Sequence, residues 1–180
     1  MFENGFWVFG YGSLVWQPEF TFQAREIARL DGFSRSFCMR SIHHRGSVAN
    51  PGLVLALDRD RQAHCDGVAF FVGPEVSVAT IAGLRERELI SSAYLEQIHE
   101  IHLRSGKKVD AVCYVIDENH NQYCGGLPLA EQAAIIAHAI GGRGPNTEYL
   151  YNTASHLRQL GIKDNELDEL ERLVRSITST

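Results

Sequence analysis

Trp7-Val8-Phe9-Gly10-Tyr11-Gly12-Ser13-Leu14-Val15-Trp16 is an apolar run that stops at two glycines flanking a tyrosine. The aromatic and β-branched residues up to Phe9 suit a buried strand. Gly10 and Gly12 then permit backbone angles and close approaches that a Cβ would block. The stretch reads as a strand feeding a binding loop, in which successive backbone amides can converge on a carboxylate or a developing oxyanion. A Gly-x-Gly after a strand is equally the signature of a plain turn. It is not a dinucleotide fingerprint, because the third glycine would fall at Val15, and the chain has no Gly-Lys-Ser/Thr phosphate loop.

Working outward, the first two-thirds of the chain reads as short strands and the last third as helices, an order that predicts an α+β fold. The expected strands are Gly5–Phe9, Arg25–Asp31, Ser34–Arg40, Leu53–Leu57, Gly67–Val72, Tyr94–Leu103 and Val109–Ile116, seven short strands able to curl into a small mixed barrel. Tyr94–Leu103 also carries helical spacing at Ile98 and Ile101, and the turn-like Ser105-Gly106-Lys107-Lys108 decides for a strand. A helical stripe follows Pro74 through Val76, Val78, Ile81, Leu84, Glu88 and Leu89, with Glu88 interrupting its apolar face. Packing helices are expected from Pro128 to Ile140, from an Asn146 cap to Leu160, and beyond an Asp164 cap through Leu167, Leu170, Leu173 and Val174.

At 180 residues, 44% hydrophobic and 22% charged, the chain is expected to form a single domain over residues 1–180. A net charge of −5 with scattered basic residues lacks the footprint of a nucleic-acid or anionic-membrane binder. No apolar stretch approaches the roughly 20 residues that span a bilayer, and the N-terminus does not read as a signal peptide, so a cytoplasmic location is expected. Cys38, Cys65, Cys113 and Cys124 form no Cys-x-x-Cys pair and read as reduced core thiols, with a catalytic thiol as the alternative. No metal is expected. His99-Glu100-Ile101-His102 is one residue too short for the helical zinc motif, and the adjacent His43 and His44 point apart.

Arg85-Glu86-Arg87-Glu88-Leu89 reads on its own as a solvated helix end laced with ion pairs. Taken with the rest of the chain it reads differently. Phe9 to Trp16, His44-Arg45-Gly46-Ser47, Pro51-Gly52, Arg87-Glu88 with Tyr94, and Gly144-x-Asn146-x-Glu148-Tyr149-Leu150 with Leu157 and Gly161-Ile162 stand in order. Together these blocks resemble the ChaC family of γ-glutamylcyclotransferases. One local departure is Ser91-Ser92-Ala93-Tyr94, where members of that family often carry a glycine pair or Thr-Gly before the tyrosine.

The resemblance implies attack by a γ-glutamyl substrate's own α-amine on its side-chain carbonyl, releasing 5-oxoproline and, from glutathione, Cys-Gly. It implies no cofactor, since nucleophile and electrophile share one molecule. Glu88 is the implied general acid/base, because it precedes an apolar residue whereas Glu86 does not. The implied substrate contacts are Phe9, Gly10, Tyr11, Gly12, Ser13 and Leu14, with Arg45 and Tyr149. Tyr11 and Tyr149 read equally as packing aromatics, and Arg45 equally as a loop brace. A carboxylate of pKa ~4.3 facing an amine near ~8 is mismatched by about 3.5 units, roughly 5 kcal/mol. Glu88 is therefore expected to be partly buried, where desolvation narrows such a gap.

Overall fold

The computed structural model describes residues 2–180. Among these, the elements are β1 (Phe6–Gly10), α1 (Ser13–Trp16), β2 (Ala24–Ser41), β3 (Gly52–Val72), α2 (Ser77–Glu88), β4 (Tyr94–Leu103), β5 (Lys108–Ile116), α3 (Leu129–His138), β6 (Ile140–Gly141), β7 (Gly144–Pro145), α4 (Asn146–Gln159) and α5 (Asn165–Thr178). The α+β class is as expected. Strands β1-β3-β2-β4-β5 form a closed barrel in that order. β1 runs antiparallel to β3, from Phe6 opposite Val72 to Gly10 opposite Val68, and parallel to β5 at Trp7 and Val8. β4 is a strand throughout, paired antiparallel with β5 from Tyr94↔Ile116 to His102↔Lys108. Closing the sheet leaves these strands without an open edge.

Seven short strands are not what forms this barrel. Arg25–Asp31 and Ser34–Arg40 belong to one long strand, β2, because Gly32 at φ 85° bends the chain within the strand instead of turning it back. Leu53–Leu57 and Gly67–Val72 are likewise one strand, β3. The connecting Asp58-Arg59-Asp60-Arg61-Gln62 is mostly solvent-facing, so it shows no apolar alternation although the backbone stays extended.

By contact density the chain divides into two units. Among the described residues, the first comprises residues 2–35 and 56–120 and is built on β1, β4, β5, α2 and the adjoining parts of β2 and β3. Its core includes Val8, Phe9, Leu57, Phe70, Ile101 and Tyr114. The second comprises residues 36–55 and 121–180. There α3, α4 and α5 pack on one another, burying Ile136, Leu150, Leu157, Leu170 and Val174.

In that second unit Asp164 caps α5 as expected, its Oδ1 accepting from the Leu167 N–H at 3.0 Å. Asn146 opens α4 but does not cap it. Its side-chain amide is committed to Leu53, accepting from the N–H at 2.7 Å and donating to the C=O at 2.8 Å. The helix expected to reach Ile140 ends at His138, because Ala139 is already extended and Ile140 pairs with Pro145.

Candidate active site

The loop after β1 is held from beneath by backbone proximity. A Cβ on Gly67 would fall against the Gly10 carbonyl oxygen and 2.9 Å from the Phe9 ring, so glycine is required there for β3 to approach the end of β1. Phe9 is fully buried. The Tyr11 hydroxyl donates to the Tyr114 carbonyl at 2.9 Å, and the Arg35 Nε donates to the Tyr11 carbonyl at 2.7 Å. A second Arg35 nitrogen donates to the Asp66 carbonyl. Tyr11 thus ties the loop to Tyr114 and to Arg35 through its hydroxyl and its carbonyl.

Beyond Tyr11 the chain closes into a single helical turn where an open loop was expected, with Val15 N–H donating to Gly12 O at 2.9 Å and Gln17 N–H to Ser13 O at 2.7 Å. Leu14 and Val15 turn inward and are buried. What the turn leaves outside its own hydrogen-bond pattern is the group of amides at its start, from Gly12 to Leu14.

Glu88 is the last residue of α2, and its side chain is 14% exposed. Glu86 faces solvent. Arg87 links the two halves of the constellation. Its Nη2 donates to Ser13 Oγ at 2.9 Å, its Nη1 to the Gln17 carbonyl at 2.8 Å and to Glu19 Oε2 at 3.2 Å, and its Nε lies 3.3 Å from Glu88 Oε1. One guanidinium therefore touches both Ser13 of the loop and the Glu88 carboxylate.

A second carboxylate in the same unit is already fully engaged. Glu96 is gripped by Arg85 through Nε at 3.0 Å and Nη2 at 2.8 Å, and it accepts the Tyr114 hydroxyl at 3.1 Å. The Arg85 bonds hold its carboxyl below the usual range. The Tyr114 phenol is pushed up, first by burial and then by the charges of Glu96 and Glu88. Tyr114 thus stays protonated as a donor, and Glu96 stays ionised and occupied.

Arg45 and Tyr149 lie in the second unit. Arg45 is buried, donates from Nη1 to the Pro145 carbonyl at 3.1 Å, and stands 3.8 Å from Glu148 and 5.8 Å from the Tyr149 ring centroid. Burial pushes its guanidinium down, partly offset by Glu148. The Tyr149 hydroxyl accepts the Leu55 N–H at 3.2 Å, and its ring packs edge-on against Phe37. These are the contacts of a brace and of a packing aromatic. The glycines of the neighbouring motifs serve the same packing, since a Cβ on Gly52 would strike the Arg45 carbonyl and approach Asn146 Oδ1 to 2.6 Å.

Sequence reasoning assigned no role to Arg35, Arg87, Glu96 or Tyr114. Arg87 carried a signal, its adjacency to Glu88. The other three carried none, because what distinguishes them is partners 11 to 103 positions away. Among the described residues, no three His, Cys, Asp or Glu side chains are grouped to hold a metal ion, and no helix is long and apolar enough to cross a membrane.

The chain is similar to known proteins over nearly its whole length. It is 33% identical over 168 residues to the glutathione-specific gamma-glutamylcyclotransferase of Escherichia coli strain K12, covering 93% of this chain and 72% of that protein. It is 32% identical over 179 residues to gamma-glutamylcyclotransferase 2-3 of Arabidopsis thaliana, covering 96% and 90%. Among solved structures, a yeast γ-glutamyl cyclotransferase specific to glutathione superposes with a TM-score of 0.86 at 27% identity, covering 96% of each chain. A more distant γ-glutamyl cyclotransferase shares the fold, with a TM-score of 0.60 at 15% identity. The family model for ChaC-like proteins matches residues 6–177, and this chain belongs to that family.

Proposed function

We propose that this protein is a glutathione-specific γ-glutamylcyclotransferase in which Glu88 is the general acid/base. The activity is supported by the bacterial relative and the yeast structure, both of which carry that specificity. The observation that carries the residue assignment is the Arg87 guanidinium, which holds Ser13 Oγ and Glu88 Oε1 on one planar group.

The substrate's α-amino nitrogen gives its proton to Glu88 and bonds to the γ-glutamyl carbonyl carbon, closing a five-membered ring. The carbonyl oxygen takes on negative charge and is met by backbone amides between Gly10 and Leu14. A donor of this kind contributes about 3 kcal/mol in known cases. The C–N bond to cysteine then breaks, and Glu88 returns the proton to the departing nitrogen, leaving 5-oxoproline and Cys-Gly. No water enters. Holding the folded-back substrate supplies the proximity, and the positioned carboxylate contributes on the order of 10²–10⁴ in rate. Glu96 is unsuited to the same task because Arg85 and Tyr114 already bond its ionised oxygens. The reading includes a cytoplasmic protein acting as one domain on a small peptide.

The test is release of 5-oxoproline, detected by mass spectrometry, from reduced glutathione and separately from γ-Glu-Ala, with Glu88→Gln as the control. Release from glutathione alone, lost in a folded Glu88→Gln variant, is expected. A near-wild-type rate in that variant removes Glu88 as the base. Release from γ-Glu-Ala instead keeps the chemistry and changes the substrate. No release from either by folded wild-type protein leaves a γ-glutamyl-binding module.

A further inference from the structure

Cys38 lies in β2 and Cys124 in the segment between β5 and α3. They are 86 positions apart in sequence, yet the backbone sets them face to face. An isolated antiparallel bridge joins Met39 and Tyr123, flanked by hydrogen bonds from Cys124 N–H to Cys38 C=O at 2.7 Å and from Arg40 N–H to Gln122 C=O at 2.8 Å. This register puts residue 38 directly opposite residue 124. Directly opposed residues of an antiparallel pair project to the same face. Cα atoms of directly opposed antiparallel residues are about 4.5–5.5 Å apart, within the ~4.4–6.8 Å found across disulfides, so closing the bond needs only that the two Cβ atoms draw from about 5 Å to about 4 Å. Both cysteines are thiols, Cys38 fully buried and Cys124 half-buried.

We infer that Cys38 and Cys124 form a reversible redox pair, closed to a disulfide by exchange with a small-molecule disulfide such as oxidised glutathione. Cys124 is the reachable thiol and Cys38 the resolving one. The Cys124 thiolate attacks one sulfur of the small disulfide, forming a mixed disulfide and expelling one thiolate. The Cys38 thiolate then attacks the Cys124 sulfur and expels the second. The protein loses two electrons and two protons, and the small disulfide gains both as two thiols. Disulfides of proteins kept in reducing compartments are usually transient and redox-sensing, which is the class assigned here. Closure staples the 121–127 segment to β2. The inference rests on the bridge register and is independent of the role given to Glu88.

The full-length protein is incubated with excess oxidised glutathione, its remaining thiols are alkylated under denaturing conditions, and its peptides are mapped by mass spectrometry. The expected wild-type product is a Cys38–Cys124 linked peptide, two hydrogens lighter, with Cys65 and Cys113 alkylated and the link reversed by dithiothreitol. Cys38→Ala is expected to accumulate a glutathione adduct on Cys124, and Cys124→Ser to leave Cys38 a thiol. Four alkylated cysteines in the treated wild type overturn the inference. So does a stable adduct on wild-type Cys124, or a link that runs through Cys65 or Cys113. The wild-type result decides even if a variant does not fold.

Discussion

Replacing Arg87 by methionine tests whether the loop and α2 are held together by that guanidinium. Methionine keeps an unbranched stem of similar packing, so the change removes chiefly the hydrogen bonds. The two short ones, to Ser13 Oγ at 2.9 Å and Gln17 O at 2.8 Å, join a side chain only 13% exposed, and at about 1.5 kcal/mol each they amount to ~3 kcal/mol. The Glu19 carboxylate is half-exposed and adds at most ~1 kcal/mol. A loss of about 3–4 kcal/mol lowers the melting temperature of a chain this size by roughly 6–16 °C. The loop also loses its registration against Glu88, and a displacement of about 1 Å at a reacting centre costs on the order of 10²-fold in rate. Arg87→Lys should restore little, because an ammonium cannot reproduce the planar fork that reaches Ser13 and Gln17 at once. Thermal melts by circular dichroism and 5-oxoproline release read the two effects separately. A melting temperature within a degree or two of wild type, together with an unchanged rate, refutes the tether.

Gly67→Ala should push the Gly10 carbonyl out of register, costing about 1–3 kcal/mol and at least ~10-fold in 5-oxoproline release; an active alanine variant of wild-type stability would show that β3 can retreat. Asn146→Ala leaves the buried Leu53 N–H and C=O without the partners they have now, at about 1–3 kcal/mol each, so urea unfolding should show a loss of roughly 2–6 kcal/mol. The Arg85–Glu96 pair should make stability pH-dependent. Because Arg85 holds the folded Glu96 carboxyl below its unfolded value of about 4.3, its contribution is complete above that value and is lost as pH falls through the lower, folded one. Glu96→Gln should therefore melt below wild type at neutral pH and converge with it in acid, and a gap unchanged between pH 7 and pH 3 would exclude this.

The parts of the fold legible in the sequence are those whose cause is local. β1 shows as an apolar run, α5 as an Asp164 cap before a leucine stripe, and β4 as a strand once the following turn is weighed. What misled was also local. Asp31-Gly32 has the composition of a hairpin turn but serves as a bend in β2, and Asp58 to Gln62 has the composition of a loop but stays in β3. Both are decided by barrel closure, which adjacent residues do not encode. The site divides the same way. Glu88 stands out in the sequence because its neighbours match a motif, whereas Ser13 and Arg87 are 74 positions apart and meet only through the fold.

The segment before Tyr94 also has a physical reading. Ser92 adopts φ 59°, the left-handed region that glycine enters at no steric cost. Among the described residues it shares a positive φ with one other non-glycine, Glu19 at φ 61°. The two flank the same constellation, since Glu19 is bonded by Arg87 and Ser92 follows Glu88 by four positions. A non-glycine held there costs on the order of 1–3 kcal/mol and persists only where the surroundings over-determine it. The contacts fixing the Glu19 end of the strained backbone are those of the Arg87 guanidinium. The side chain that bonds Ser13 and lies against Glu88 thus also bonds the chain at Gln17, Pro18 and Glu19, so the loop and this backbone share one set of hydrogen bonds.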